Sequence, residues 1–300
     1  MTVRISPNSD DCAYLFSDTR CEVDPLNALV KATVRRNGSR ESGEPVPRCE
    51  PPLRDLVNSL ERGLTVIGAF DQNRPRLTIA EVAASCHLTR AAARRYLITL
   101  EHLGYVNCDR KMFALTAKVL RLGQSYMHSA RLPRIIQPAL LELGRTLQEA
   151  SSAGVLDGDD VISIAATTSG RPVSVTVQPG TRVPAYCTAN GRVLLCALTH
   201  DDAERWLGRQ RLEARTPQTI TSHKRLADEI ARVRAQGYAL VDQEFELGLR
   251  TIAVPLKDHR GEVIAAINVG AHASRMSMDR LVDECLPALM DAQARLRSVL

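Results

Sequence analysis

The sequence has no pair of cysteines at metal-ligand or redox spacing. Its eight cysteines, Cys12, Cys21, Cys49, Cys86, Cys108, Cys187, Cys196 and Cys285, are scattered and form no CxxC. A disulfide framework does not suit a chain this long and apolar, so reduced thiols are expected. No apolar run approaches the roughly 18 residues that a membrane span needs. Residues 1–24 carry Asp10, Asp11, Asp18, Glu22 and Asp24 and no apolar core, which argues against a secretory leader and makes the cytoplasm the expected compartment. There is no GxSxG elbow and no Walker pattern, and Gly170 to Gly180 lacks the strand–glycine–helix context of a nucleotide loop. Cys86, His87, His102 and Cys108 fit no usual zinc spacing, and Cys187 and Cys196 have no recognisable histidine base. No catalytic residue, metal or cofactor is therefore expected, and no internal repeat is visible.

What is present is a chain of 300 residues, 44% hydrophobic, enough for about two domains with real cores. Its net charge of +5 is unevenly placed. Residues 1–52 hold seven bases and eight acids, and Asn37 to Pro52 is rich in Gly, Ser, Pro and charge. That stretch reads as a disordered extension, dispensable for folding and DNA binding. Residues 53–130 hold eleven bases against six acids, and the remainder is near neutral with 21 against 20. A basic excess confined to one segment is the footprint of a nucleic-acid-binding domain.

From Leu53 the pattern is regular. Leu56, Leu60, Leu64, Ile67 and Phe70 recur at helical spacing and predict an amphipathic helix. Thr78 caps a short helix, with Glu81 at the capping-box position, and Thr89 caps a longer one that Gly104 ends. Tyr105–Cys108 and Met112–Leu115 flank the polar tip Asp109-Arg110-Lys111 and predict a hairpin. Helix, helix–turn–helix and hairpin in that order predict a winged helix-turn-helix over 53–116. Residues 117–132 predict a linker helix ending near Pro133, and 133–300 a second, α+β domain. Its expected elements are a helix over Ile135–Glu149, a hairpin around Asp157–Asp160 and an alternating strand at Val173, Val175 and Val177. A buried helix from Ala189, helices capped by Thr199 and Ser222, and strands over 238–241, 251–256 and 262–269 follow. A final helix is expected from Ser277 to Leu300.

On the helix after Thr89, Ala93, Tyr96, Leu97, Leu100 and Leu103 share the core side. Ala91, Arg94, Arg95, Ile98 and His102 point away, with Arg90 at the margin. Arginines there can pair bidentately with guanine, and the small Ala91 and Ala92 let the backbone approach the groove. A solvated basic face is the other reading of these charges, and a plain polar turn the other reading of Arg110 and Lys111.

These residues carry a resemblance. Leu77 to Ala83, Leu88 to Arg95 and Leu100 to Val106 resemble the DNA-binding domain of IclR-type transcriptional regulators. Thr188 to Leu195, Asp242 to Pro255 and Gly261 to Val269 resemble that family's effector domain. Within the family, the Thr-Arg-Ala-Ala-Ala-Arg-Arg run with Gly-Leu-Arg downstream is most similar to regulators of protocatechuate and β-ketoadipate catabolism. The resemblance implies a homo-dimer or tetramer on double-stranded promoter DNA, with no membrane, and a GAF-like α+β domain that binds a small organic or aromatic acid. It assigns DNA contacts to Thr78, Thr89, Arg90, Ala91, Arg94, Arg95, Arg110 and Lys111. It places Val175, Ala189, Asn190, Asp242, Leu249, Arg250, Thr251, Asn268 and Gly270 around the effector. The wing tip departs from the family, which often has a glycine where this chain has Arg110 or Lys111. Three effector-site residues keep a second reading from their chemistry alone. Arg250 pairs either with a ligand carboxylate or with Glu244 or Glu246, Asn268 is either a contact or a satisfied strand residue, and Asp242 either a contact or a turn cap.

Overall fold

The computed structural model describes residues 56–71, 73–168 and 177–300. The expected extension over 1–52, and Val173 and Val175 of the expected strand, lie outside the described residues; Val177 is in no strand.

The N-terminal domain is built from α1 (Asn58–Gly68), β1 (Arg76–Leu77), α2 (Ile79–Ser85), α3 (Arg90–His102), β2 (Val106–Asp109) and β3 (Met112–Leu115). The three strands are antiparallel in the order β1-β3-β2, so β1 extends the wing hairpin into a small sheet. Val66, Leu77, Val82, Ala93, Leu97, Leu100, Val106 and Phe113 form its core. Helix α1 starts two residues after Leu56, and the leucines of its pattern do not face the core, although Ile67 and Phe70 pack against it. Val66 is buried, whereas Leu60 and Leu64 are 63% and 55% exposed. The helix carries two apolar stripes, and periodicity alone does not say which one packs inward.

A 3₁₀ turn (Ala117–Val119) leads into α4 (Leu120–Ser129), and α5 (Arg131–Leu147) follows. The break between them is the extended Ala130, not Pro133. Pro133 sits in the first turn of α5, where an N–H has no helical partner and its loss costs little.

The C-terminal domain is a six-stranded antiparallel sheet in the order β6-β5-β4-β9-β8-β7. Its strands are β4 (Ala150–Asp157), β5 (Asp160–Thr167), β6 (Arg182–Pro184), β7 (Ala239–Asp242), β8 (Leu249–Lys257) and β9 (Val263–His272). The central pair β4–β9 joins the two ends of the domain; Ser152 and Asn268, 116 residues apart, are partners. Helices α6 (Ala189–Cys196), α7 (His200–Arg209) and α8 (His223–Gln236) lie on one face. Helix α5 and α9 (Leu286–Arg297) lie on the other. Strand alternation assigns the sheet residues. Ile252, Val254, Ile267 and Val269 point into the α5–α9 core, and Ala253 and Ala266 into the α6–α8 core.

Two local features escape the sequence pattern. The edge strand β6 is too short to show alternation. The expected last helix is interrupted: a single turn (Met278–Arg280) and a π-turn (Leu281–Cys285) precede α9, just before Pro287, which has no N–H to continue the ladder.

Candidate DNA-recognition face and effector site

The DNA-recognition candidates rest on two capped helices. At the start of α2 the Thr78 backbone N–H donates to Glu81 Oε2 at 2.7 Å, and the Glu81 N–H donates to Thr78 Oγ1 at 3.3 Å. Thr89 Oγ1 accepts from Ala92 N at 3.2 Å and starts α3. Both threonine hydroxyls are thus used in orienting helices, and Thr78 spends its own proton on Glu81 as well.

Helix α3 buries Ala93, Leu97 and Leu100 and exposes Arg90, Ala91, Arg94, Arg95 and Ile98. Among the described residues none of Arg90, Arg94 and Arg95 forms an ion pair, whereas Arg182, Arg192, Arg250 and Arg295 of the other domain are each matched to an acid. Three unmatched guanidiniums on one helix face repel one another unless an external polyanion meets them.

The wing tip is a two-residue turn in which Arg110 (φ 49°) and Lys111 (φ 69°) are both left-handed. That is the backbone of a type I′ hairpin, normally given to Asn and Gly. Here two long basic side chains occupy it and are exposed. Each left-handed non-glycine residue costs roughly 1–2 kcal/mol.

The effector candidates centre on the start of α6. Thr188 caps it, accepting from Gly191 N at 3.3 Å and donating to the Pro184 carbonyl at 3.0 Å. Gly191 lies so close to the preceding chain that a Cβ there would be 2.1 Å from the Ala185 carbonyl oxygen. This packing drives the first turn, with Ala189 (1% exposed) and Asn190 (6% exposed), into the interior. Asn190 Oδ1 is buried and makes no hydrogen bond among the described residues. Its amide lies over Gly154, whose missing Cβ would stand 3.5 Å from Asn190 Nδ2.

By alternation, Leu249, Thr251, Asn268 and Gly270 present the same sheet face as Ala253 and Ala266, the face on which α6 packs. Thr251 and Gly270 are register partners, and Leu249 Cδ1 closes over Gly270. Asn268 is already engaged: its Oδ1 accepts from Ser152 N at 3.1 Å and from Ser152 Oγ at 2.6 Å.

Arg250 and Asp242 fall on the opposite face, because they are one residue out of phase with Thr251 and Val241. Arg250 Nε donates to Asp242 Oδ1 at 2.7 Å, and its Nη1 to the carbonyls of Ala273 and Met276. Arg250 therefore pairs with Asp242, not with Glu244 or Glu246, and Asp242 caps no turn. Burial pushes the Asp242 carboxyl up, but the hydrogen bonds from Arg250 and Gln243 outweigh it and hold it below the ordinary carboxylate range. Val175 lies outside the described residues.

Sequence reasoning missed Arg192. It sits in the second turn of α6, 1% exposed, with Nη2 at 2.6 Å from Glu244 Oε2, Nη1 at 3.5 Å from Glu229 Oε1, and Nε donating to the Tyr186 carbonyl. Glu244 Oε2 also accepts from Ile220 N. The only hint was a lone charge in a helix that otherwise has none. Cys187, two residues before α6, is pushed up to about 12 by burial, so its thiol is neutral at physiological pH. No cluster of His, Cys, Asp and Glu suited to a metal occurs among the described residues, and none of their helices is long and apolar enough to cross a membrane.

Comparison with known proteins agrees with both halves. Residues 59–110 match the IclR helix-turn-helix domain and residues 124–297 the bacterial transcriptional regulator IclR C-terminal domain. The chain is 44% identical over 239 residues to the Pca regulon regulatory protein of Pseudomonas putida, covering 79% of this chain and 82% of that one. A putative transcriptional regulator from Rhodococcus sp. RHA1 has a solved structure that superposes with a TM-score of 0.70 at 40% identity, covering 81% of this chain and 98% of that one. The inducer-binding domain of a double mutant of PobR from Acinetobacter, solved with 3-hydroxybenzoic acid, matches with a TM-score of 0.55 at 32% identity over 57% of this chain and all of that one. Its winged helix-turn-helix, linker and six-stranded α+β domain place this chain in the IclR family of bacterial transcriptional regulators.

Proposed function

We propose that this regulator acts in the cytoplasm as a homo-dimer or tetramer, binds operator DNA through α3 and the wing, and responds to a small aromatic acid held at the start of α6. It is a sensor and not an enzyme. The observation that carries the effector reading is Asn190. A buried amide oxygen without a donor is costly, roughly 1–3 kcal/mol, and is retained where a ligand supplies the missing partner. Beside it, the first N–H groups of α6 lie ahead of the helical ladder and favour a carboxylate. A hydroxybenzoate offers both a hydroxyl proton and a carboxylate. The sheet beneath, with Gly154, Thr251, Ala266 and Gly270, is made of small side chains, which suits a flat ring.

The PobR inducer-binding domain, solved with 3-hydroxybenzoic acid, supports an aromatic acid over other small acids. Self-association is supported by apolar stripes that stay exposed among the described residues: Val57, Leu60 and Leu64 on and before α1, and Leu120, Leu122 and Tyr126 on α4 are all at least 39% exposed.

Calorimetry with protocatechuate, 4-hydroxybenzoate and β-ketoadipate tests the sensor. Protocatechuate or 4-hydroxybenzoate is expected to bind, and Asn190→Ala to weaken it about tenfold while leaving benzoate unchanged. Failure of both aromatic acids to bind, whether or not β-ketoadipate does, or equal affinities in the variant, overturns the reading. Light scattering of the full chain gives the copy number.

A further inference from the structure

The base-facing side of α3 is not uniformly basic. Ile98 is 42% exposed there, while the apolar side chains of the opposite face, Ala93, Leu97 and Leu100, are buried in the core. At 100° per residue Ile98 lies within about 20° of Ala91 and between the azimuths of Arg94 and Arg95. A straight helix in the major groove presents positions i, i+3, i+4 and i+7 to base edges. Ala91, Arg94, Arg95 and Ile98 occupy those four positions. The three polar or small members fit contact with phosphates and guanines; an exposed branched aliphatic among cations does not. The major-groove feature that complements it is the C5 methyl group of thymine, the only apolar group on a base edge.

We infer that Ile98 is a specificity-determining residue that packs on a thymine methyl. Three to four residues of helix separate it from Arg94 and Arg95, about 5 Å along the axis, so the thymine stands one or two base pairs from a guanine that these arginines read. The inference rests on the DNA-binding reading of α3 and sharpens it to one atom group of one base.

The test uses the full-length chain and a duplex that it selects from a random library. Thymines are replaced one at a time by deoxyuridine, which removes only the methyl. The expected result is one thymine per half-site, one or two base pairs from a guanine, where the replacement weakens wild-type binding about fourfold, the worth of one buried methyl. Ile98→Ala should bind the thymine duplex at least as weakly as wild type binds the uridine duplex, and should not distinguish the two. Ile98→Val should lie between. Because Ile98 is outside the core, thermal melts of the variants should match wild type, and a lowered melt would itself count against the assignment. A selected consensus with guanines but no uridine-sensitive thymine, or an Ile98→Ala variant that keeps the fourfold discrimination, overturns the inference while leaving DNA binding by α3 intact. No consensus at all, or Arg94→Ala and Arg95→Ala variants that bind as wild type, overturns the underlying reading as well.

Discussion

Replacing Arg192 by methionine should unfold the C-terminal domain at a much lower temperature while leaving the N-terminal domain alone. The guanidinium is 1% exposed and is the shared partner of Glu244 at 2.6 Å and Glu229 at 3.5 Å. Methionine fills similar space but leaves two buried carboxylates, of which only Glu229 retains a cation, the mostly solvent-exposed Arg232. Removing one partner of a buried ion pair costs about 3–5 kcal/mol, because the survivor's desolvation is no longer offset. For a domain of about 170 residues, each kcal/mol moves Tm by roughly 2–4 °C, so a drop of about 6–20 °C is expected. The assay is built into the molecule. Trp206 is the sole tryptophan, is buried at 3% exposure, and donates from Nε1 to the Gly158 carbonyl at 3.1 Å. Its fluorescence therefore reports the C-terminal domain alone. Arg192→Met combined with Glu244→Met should recover part of the loss. A single variant that melts within 2 °C of wild type would refute the claim that this network holds α6 in place.

Two other outcomes are accessible. Lys111→Gly relieves one left-handed residue and should raise the stability of the winged domain by about 1 kcal/mol, yet flatten the salt dependence of operator binding by about one unit of log–log slope; an unchanged slope would remove Lys111 from the phosphate contacts. The Asp242 carboxyl is held below the ordinary carboxylate range in the folded state, so its contribution is complete above that range and is lost as the pH falls through the lower folded value. Asp242→Asn should thus destabilise the protein at neutral pH and flatten the acid limb of the Trp206 melts below about pH 4; parallel acid limbs would contradict it.

Much of the fold was legible because its elements announce their own ends. Thr78, Thr89, Thr199 and Ser222 all cap the helices that their positions suggest. The start of α6 is legible from the apolar run that begins at Ala189, whereas Ala189 and Asn190 as effector contacts come from the family resemblance alone. Legibility failed where two local solutions were equally good. Leu60 and Leu64 looked like core because one helix carried two apolar stripes. Arg250 and Thr251 are sequence neighbours that point to opposite faces of β8, a separation visible only by period-two counting from Ile252. Arg192 leaves no local signal because its acids lie 37 and 52 residues downstream, beyond any local pattern.

The pairing of β4 with β9 also sets an order on synthesis. The winged domain is complete once the chain has passed Leu115, and all its contacts are local in sequence. The C-terminal sheet lacks one of its two central strands until residues 263–272 have left the ribosome, so its folding waits for nearly the whole chain. Messages cut short before that point encode a DNA-binding module that cannot hear its signal. A population of such fragments would occupy operators regardless of effector, and nonsense mutations between the codons for Leu115 and Val263 should therefore be more disruptive than those that remove the protein altogether.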